Sequence, residues 1–192
     1  MNAVHKTVSS PGESLILVDD EDREVGFASK QHCHDGDGVL HRAFSAFLFN
    51  DAGELLLQQR SALKPLWPLY WSNSCCSHPR EGESVEAAVQ RRIREELGLE
   101  SRPRFLYKFT YHARFGELGS EREFCWVYAG RHKGEVVVHP EEIAAIRYVS
   151  PAELTAEIAA APDQFTPWFK MEWQRIASDH LGELLGEVTG RR

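Results

Sequence analysis

Ala43-Phe44-Ser45-Ala46-Phe47-Leu48-Phe49 is an almost unbroken apolar run. Its length and lack of alternation predict a strand buried on both faces. Asn50-Asp51-Ala52-Gly53 reads as a hairpin turn, with Glu54 to Gln59 as the returning strand. Ser14 to Val18 and Val25 to Ala28 read as shorter strands around the acidic turn Asp19-Asp20-Glu21-Asp22. Further strands are expected over Arg104 to Ala113, Glu123 to Gly130, Val136 to His139 and Ala144 to Val149. Between them, Val85, Ala88, Val89, Ile93 and Leu97 recur at helical steps and predict a helix over 85–97, stopped by Gly98. Ser150-Pro151-Ala152-Glu153 is a capping box with proline at the first helical position, and Pro162 ends the helix it opens. Beyond Pro167 the residues Phe169, Trp173, Ile176, His180, Leu184, Leu185 and Val188 keep the helical step, which predicts one long helix over 167–188. The pattern predicts an α/β fold of the α+β kind: a mixed sheet flanked by helices, one domain over 1–192, with polar residues 1–12 flexible.

Composition narrows the setting. A chain of 192 residues buries roughly 70% of its unfolded surface, enough for a core without staples. A formal net charge of −7 makes it a poor partner for a nucleic-acid backbone, so none is expected. No apolar run reaches membrane-spanning length and no secretory segment precedes the cysteines Cys33, Cys75, Cys76 and Cys125. A cytoplasmic, reducing location without membrane attachment is expected, where cysteines serve as catalysts, ligands or plain core more often than as disulfides.

The chemistry-bearing residues are scattered. His32, His34 and His41 flank a Gly-containing polar segment read as a loop; Cys75, Cys76 and His78 stand just before the helix. Glu121 and Glu123 enter a strand two residues apart and so share a face, a workable ligand pair. Imidazole with carboxylate suits zinc, iron or manganese. The spacing itself leaves open that the histidines are loop residues, the acids are solvated and the cysteines are core. Trp67, Tyr70 and Trp71, among prolines, either cover a core edge or line a pocket. Glu95 and Glu96 sit in the last turn of the predicted helix, where the macrodipole disfavours acids unless a cation or arginines answer them.

Glu83, Arg91, Ile93, Glu95, Glu96, Gly98 and Leu99 fall on the spacing of the Nudix box. Two positions depart: Ser77 replaces its first glycine, and Arg92 replaces the glutamate that helps hydrolytic members hold magnesium. The resemblance therefore implies the Nudix fold and argues against diphosphate hydrolysis. The string Asn73-Ser74-Cys75-Cys76-Ser77-His78-Pro79, with His34 seven residues before His41, resembles type I isopentenyl-diphosphate delta-isomerases. So do Arg42-Ala43-Phe44-Ser45, Trp67-Pro68, Glu121-Arg122-Glu123 and Thr166-Pro167-Trp168, in that order over nearly the whole chain.

That resemblance implies a prenyl diphosphate substrate whose double bond is moved. It matches Cys76 and Glu123 to the catalytic pair, Tyr111 to a hydrogen-bond partner of the carboxylate, and Trp168 to the wall facing the carbon skeleton. It matches His34, His41, His78, Glu121 and Glu123 to a site for manganese, zinc or magnesium. Glu96 matches an acid that helps bind a magnesium ion carried with the diphosphate. Lys30, Arg60, Lys64 and Arg92 match basic positions around that diphosphate. Arg94 is read instead as a solvated helix-face residue. The rival readings are a Nudix hydrolase, a non-catalytic diphosphate-binding module and a structural zinc domain.

Overall fold

The computed structural model describes residues 8–189. Among these, β1 (Ser14–Val18) and β2 (Glu24–Ser29) form the first hairpin, followed by the short helix α1 (Lys30–His34). Strands β3 (His41–Phe49), β4 (Leu55–Arg60), β5 (Trp71–Ser72) and β6 (Cys75–Ser77) precede α2 (Val85–Leu97). Then come β7 (Arg104–Arg114), β8 (Ser120–Arg131), β9 (Ile143–Val149), α3 (Pro151–Ala160), α4 (Pro167–Asp179) and α5 (Leu181–Thr189).

The apolar run of β3 is the middle of a mixed sheet. Along one edge β3 pairs in parallel with β8, from His41 opposite Glu123 to Phe49 opposite Arg131. Its other edge is shared in turn by β1 at His41, by β6 at Phe44–Ala46 and by β4 at Phe49. Its alternating side chains enter two cores. Phe44, Ala46 and Leu48 pack under α2 with Val85, Val89, Ile93 and Leu97. Phe47 and Phe49 pack under α4 with Phe169, Trp173 and Ile176. Both faces are covered, as the unbroken run predicts.

The 85–97 helix has the expected bounds. Ser84 caps it by accepting the Ala87 N–H, and Gly98 ends it at φ 65°. A Cβ on Gly98 would come within 3.2 Å of the Val137 side chain, so the left-handed stop also needs a residue without one. Arginines answer the acids of the last turn: Arg91 reaches Glu95 at 3.0 Å and Arg92 reaches Glu96 at 2.5 Å. Arg94 lies on the exposed side, paired with Glu100.

Three expectations change. Val136 to His139 is not a strand; the Val137 and His139 N–H groups donate to the carbonyls of Leu97 and Glu96, so the segment closes the end of α2 instead of joining the sheet. The 167–188 helix is two helices, because His180 leaves helical geometry at φ −125° and ψ −21°. Its ring stacks on Tyr107 at 5.5 Å, and Leu184 turns back onto the core under α4. Finally, Val8 anchors the stretch expected to be flexible, while residues 10–12 are exposed. Val8 is buried and its carbonyl accepts from Arg92 at 2.8 Å. The remainder of the expected flexible leader, residues 1–7, lies outside the described residues.

Candidate active site

Strand parity decides between the two adjacent cysteines. Neighbours on a strand point to opposite faces. Cys75 joins the core under α2 and is fully buried. Cys76 lies opposite Ser45 in register and opens into a cavity of about 520 Å³ on the α4 side. The segment before β6 holds this register from within. Ser74 accepts the Leu48 N–H at 2.8 Å and donates to the Leu56 carbonyl at 2.6 Å, bridging β3 and β4. Asn73 donates to the Cys75 carbonyl at 2.8 Å, and Ser72 meets Thr166, the residue before α4, at 3.0 Å.

The parallel register sets His41 beside Glu123. The segment read as a loop is partly the helix α1: Ser29 accepts the His32 N–H and Cys33 is buried, which turns His34 inward and leaves His32 exposed. Gly119, in the turn between β7 and β8, closes against it; a Cβ there would stand 2.5 Å from the His34 carbonyl oxygen. His34, His41, His78, Glu121 and Glu123 thereby each offer one ligand atom, all within 4.8 Å of one another.

These five side chains fit a divalent cation. Nδ1 of His34 lies 2.6 Å from the Lys30 carbonyl and Nδ1 of His41 lies 2.7 Å from that of Val39. Each carbonyl holds a proton on Nδ1 and leaves the Nε2 lone pair facing the cluster, the usual arrangement behind a metal-bound imidazole. His41 Nε2 is buried without a hydrogen-bond partner, and Glu121 Oε2 has only the His34 ring nitrogen at 2.9 Å. Such poorly satisfied polar atoms are costly to bury, and a cation answers them. Three nitrogens with two carboxylate oxygens suit a divalent first-row ion better than magnesium, which prefers oxygen ligands.

The charges of the cluster strain against burial. Burial, then the charge of His34, brings the His41 imidazole down to about 4, and burial likewise holds His78 low. Burial also opposes a charged Glu121, yet the His34 pairing at 2.9 Å takes that carboxyl down to about 2. Glu123 moves the other way. Burial and the Glu121 carboxylate raise it, partly offset by Tyr111, whose hydroxyl donates to Glu123 Oε2 at 2.6 Å. Its other oxygen, Oε1, faces His78 Nε2 at 2.9 Å and His41 Nε2 at 3.7 Å. A bound dication would reverse the upward shift, because its charge favours the carboxylate. Across the cavity, burial pushes the Cys76 thiol up to about 12 despite Arg60, so it is held as the protonated thiol.

Trp168 is buried in the cavity wall, with Trp67 edge-on at 5.2 Å and Tyr111 stacked at 6.0 Å. Arg60 lies 5.3 Å from its ring centre and donates to the carbonyls of Leu66 and Trp67. Those two bonds steady a loop in which Trp67 and Leu69 hold left-handed φ of 46° and 63°. Lys30, Lys64 and Arg92 line the cationic end. Burial and repulsion from Lys64 and Arg92 bring the Lys30 ammonium down to about 8.

Of the catalytic, metal and basic positions matched through the family resemblance, all but His41 and Glu96 line the cavity. Glu96 lies apart from the five-residue cluster, under Arg92, which donates to it through Nε and Nη2. Arg92 also meets Glu142 at 3.2 Å, and Lys64 bonds the same carboxylate. Sequence reasoning missed Glu142; a Pro-Glu-Glu-Ile step before a strand carries no signal that its acid turns inward. It also missed Ser9, whose hydroxyl accepts from Lys30 at 2.5 Å.

A helix-flanked mixed sheet carrying an arginine- and glutamate-rich helix beside a His/Glu cluster defines a protein of the Nudix class, and the NUDIX domain family model matches residues 39–169. Isopentenyl-diphosphate Delta-isomerase 1 of Photorhabdus laumondii is 40% identical over 174 residues, 90% of this chain and 99% of that protein. Isopentenyl-diphosphate Delta-isomerase of Serratia proteamaculans is 44% identical over 178 residues, 86% of this chain and 98% of that protein. The crystal structure of DR0079 from Deinococcus radiodurans superposes with a TM-score of 0.63 at 31% identity, over 77% of this chain and 90% of that one. This chain belongs to the isopentenyl-diphosphate Delta-isomerase family, within the Nudix proteins.

Proposed function

We propose that the chain interconverts isopentenyl and dimethylallyl diphosphate, with Cys76 and Glu123 as the acid–base pair on opposite faces of the C5 unit. The observation that carries this reading is that Cys76, Glu123, Tyr111 and Trp168 line one cavity together with Lys30, Arg60, Lys64 and Arg92. Moving the double bond adds a proton at the terminal carbon and removes one from C2. An alkene is a very weak base, so the step passes through a tertiary carbocation or close to it. Cys76 and Glu123 exchange the two protons, and each positioned group typically contributes about 10²- to 10⁴-fold. Tyr111 orients the carboxylate through its hydrogen bond to Oε2. Trp168 offers a π face to the cation, worth about 2 kcal/mol where water is excluded. It also helps keep out the water that would trap the cation as an alcohol.

His34, His41, His78, Glu121 and Glu123 would hold one manganese, zinc or magnesium ion. When bound, that ion supplies positive charge that fixes and tunes the Glu123 carboxylate. Lys30, Arg60, Lys64 and Arg92 would supply positive charge to the diphosphate, and Glu96, engaged by Arg92, would help hold the magnesium that accompanies it. The substrate is a small molecule. No helix among the described residues is long and apolar enough to cross a membrane, in keeping with a cytoplasmic enzyme.

Incubating isopentenyl diphosphate with the metal-loaded protein in heavy water tests the proposal. Dimethylallyl diphosphate carrying deuterium is expected. Release of phosphate from nucleoside diphosphates without any such product would replace isomerisation with hydrolysis.

A further inference from the structure

Four residues beyond Trp168, on the same side of α4, stands Glu172, whose side chain is wholly buried. It is not among the residues lining the cavity. Its Oε1 accepts from Cys125 Sγ of β8 at 3.5 Å, and Oε2 has no hydrogen-bond partner. Ser45 of β3 shares this contact, 3.6 Å from the same sulfur. Tyr107 of β7 donates its hydroxyl to the Glu172 backbone carbonyl at 3.2 Å. The charged and titratable neighbours offer it no counter-ion. Arg175, on its own helix, lies over the Tyr107 ring at 3.9 Å and pairs with Asp179. His180, leading into α5, stacks on the Tyr107 ring. From α3, Thr155 is engaged with Trp173. Cys76 of β6 and Glu123 of β8 feel the Glu172 charge only as repulsion.

A lone carboxylate in such a place costs several kcal/mol, whereas a neutral acid costs far less. Burial pushes the Glu172 carboxyl up to about 8, with Ser45 and Cys125 opposing it only in part. Charging it therefore requires water to enter or the helix to move. Trp168 rides on that helix, and its own indole N–H has no hydrogen-bond partner to hold it otherwise.

We infer that Glu172 is a positioning residue for Trp168: as a neutral acid it seats α4 against the sheet, and its ionisation lifts α4 and admits water to the hydrocarbon end of the cavity. The kinetic consequence rests on the isomerase reading; the structural one does not.

The experiment compares the metal-loaded wild type with Glu172→Gln, whose amide keeps the shape and cannot ionise, and with Glu172→Met as a second neutral variant. Hydrogen exchange of residues 167–179, corrected for intrinsic rates, is followed from about pH 6.5 to about 9.5. Wild type is expected to lose about tenfold in protection across that range and both variants to lose none. In parallel, wild-type kcat falls about threefold or more with KM nearly constant, while Glu172→Gln holds its kcat. Identical pH courses for α4 exchange in wild type and the folded variants overturn the inference, as does a Glu172→Gln kcat that falls in step with wild type. If the protein proves not to isomerise its substrate, the exchange comparison still decides the point.

Discussion

Replacing Arg92 with methionine should unfold the protein well before it weakens substrate binding. The Arg92 side chain is 2% exposed and joins three parts of the chain. It donates to Glu96 on its own helix, to the Val8 carbonyl and to Glu142 before β9. Methionine fills much of the volume but leaves Glu96, itself 2% exposed, without the guanidinium that answers it. Stranding one member of a buried pair costs about 3–5 kcal/mol. At about 2–4 °C per kcal/mol for a chain of this size, Tm should drop by roughly 6–20 °C. Thermal unfolding monitored by circular dichroism reads this directly. The double variant Arg92→Met/Glu96→Gln should recover part of the loss, by about 0.5–3 kcal/mol of coupling. An Arg92→Met protein that melts within about 2 °C of wild type while its KM rises several-fold would refute this reasoning. Arg92 would then be a substrate contact alone, with Glu96 held by something else.

Two other outcomes follow from the geometry. Cys76→Ala should abolish turnover, whereas Cys75→Ala, on the opposite face of β6, should leave kcat largely intact; a kinetic comparison showing the reverse ranking would mean that the wrong thiol has been placed in the reaction. For Glu142, burial opposes the charge, but Lys64 and Arg92 bring the carboxyl from the usual 4.5 down to about 2. Its folded value is below its unfolded one, so the ionised group stabilises the fold at neutral pH, and that support fades as pH falls from about 4.5 towards 2. The support amounts to no more than about 3 kcal/mol. Urea unfolding of Glu142→Gln across that window should show a flatter acid limb than wild type, and an unchanged slope would count against the pairing.

The legible parts of the fold were those where one local pattern has one outcome. The β3 run had to be covered on both sides, and the 85–97 stripe with its serine cap and terminal glycine had to be a helix. The misreadings share a physical origin in distant partners. Nothing within Val136 to His139 says that its amides will meet the carbonyls at the end of α2 rather than a strand. His180 keeps the helical step, yet the helix breaks there, where its ring stacks on Tyr107, far away in sequence. At the site, residue types and order were legible through resemblance to a family. Their grouping was not, because it depends on the register between β3 and β8 and on the parity of a three-residue strand. Arg92 shows the same limit: its charge reversal was visible, but not that Glu96, Glu142 and Val8 would hold it. Glu172 was overlooked, although its place four residues beyond Trp168 and four before Ile176 puts it on the apolar side of α4.

The parallel pairing of β3 with β8 also bears on how the protein reaches its working form. Parallel strands need a long crossover, and here α2 and β7 lie in the chain between His41 and Glu123. Closing so long a loop is slow, and contacts of this kind dominate the folding barrier of sheet proteins. Partly folded chains in which only the β1–β2 and β3–β4 hairpins have formed lack a complete ligand set. The His/Glu cluster thus joins segments far apart in sequence, and a cation bound there would tie the finished sheet together.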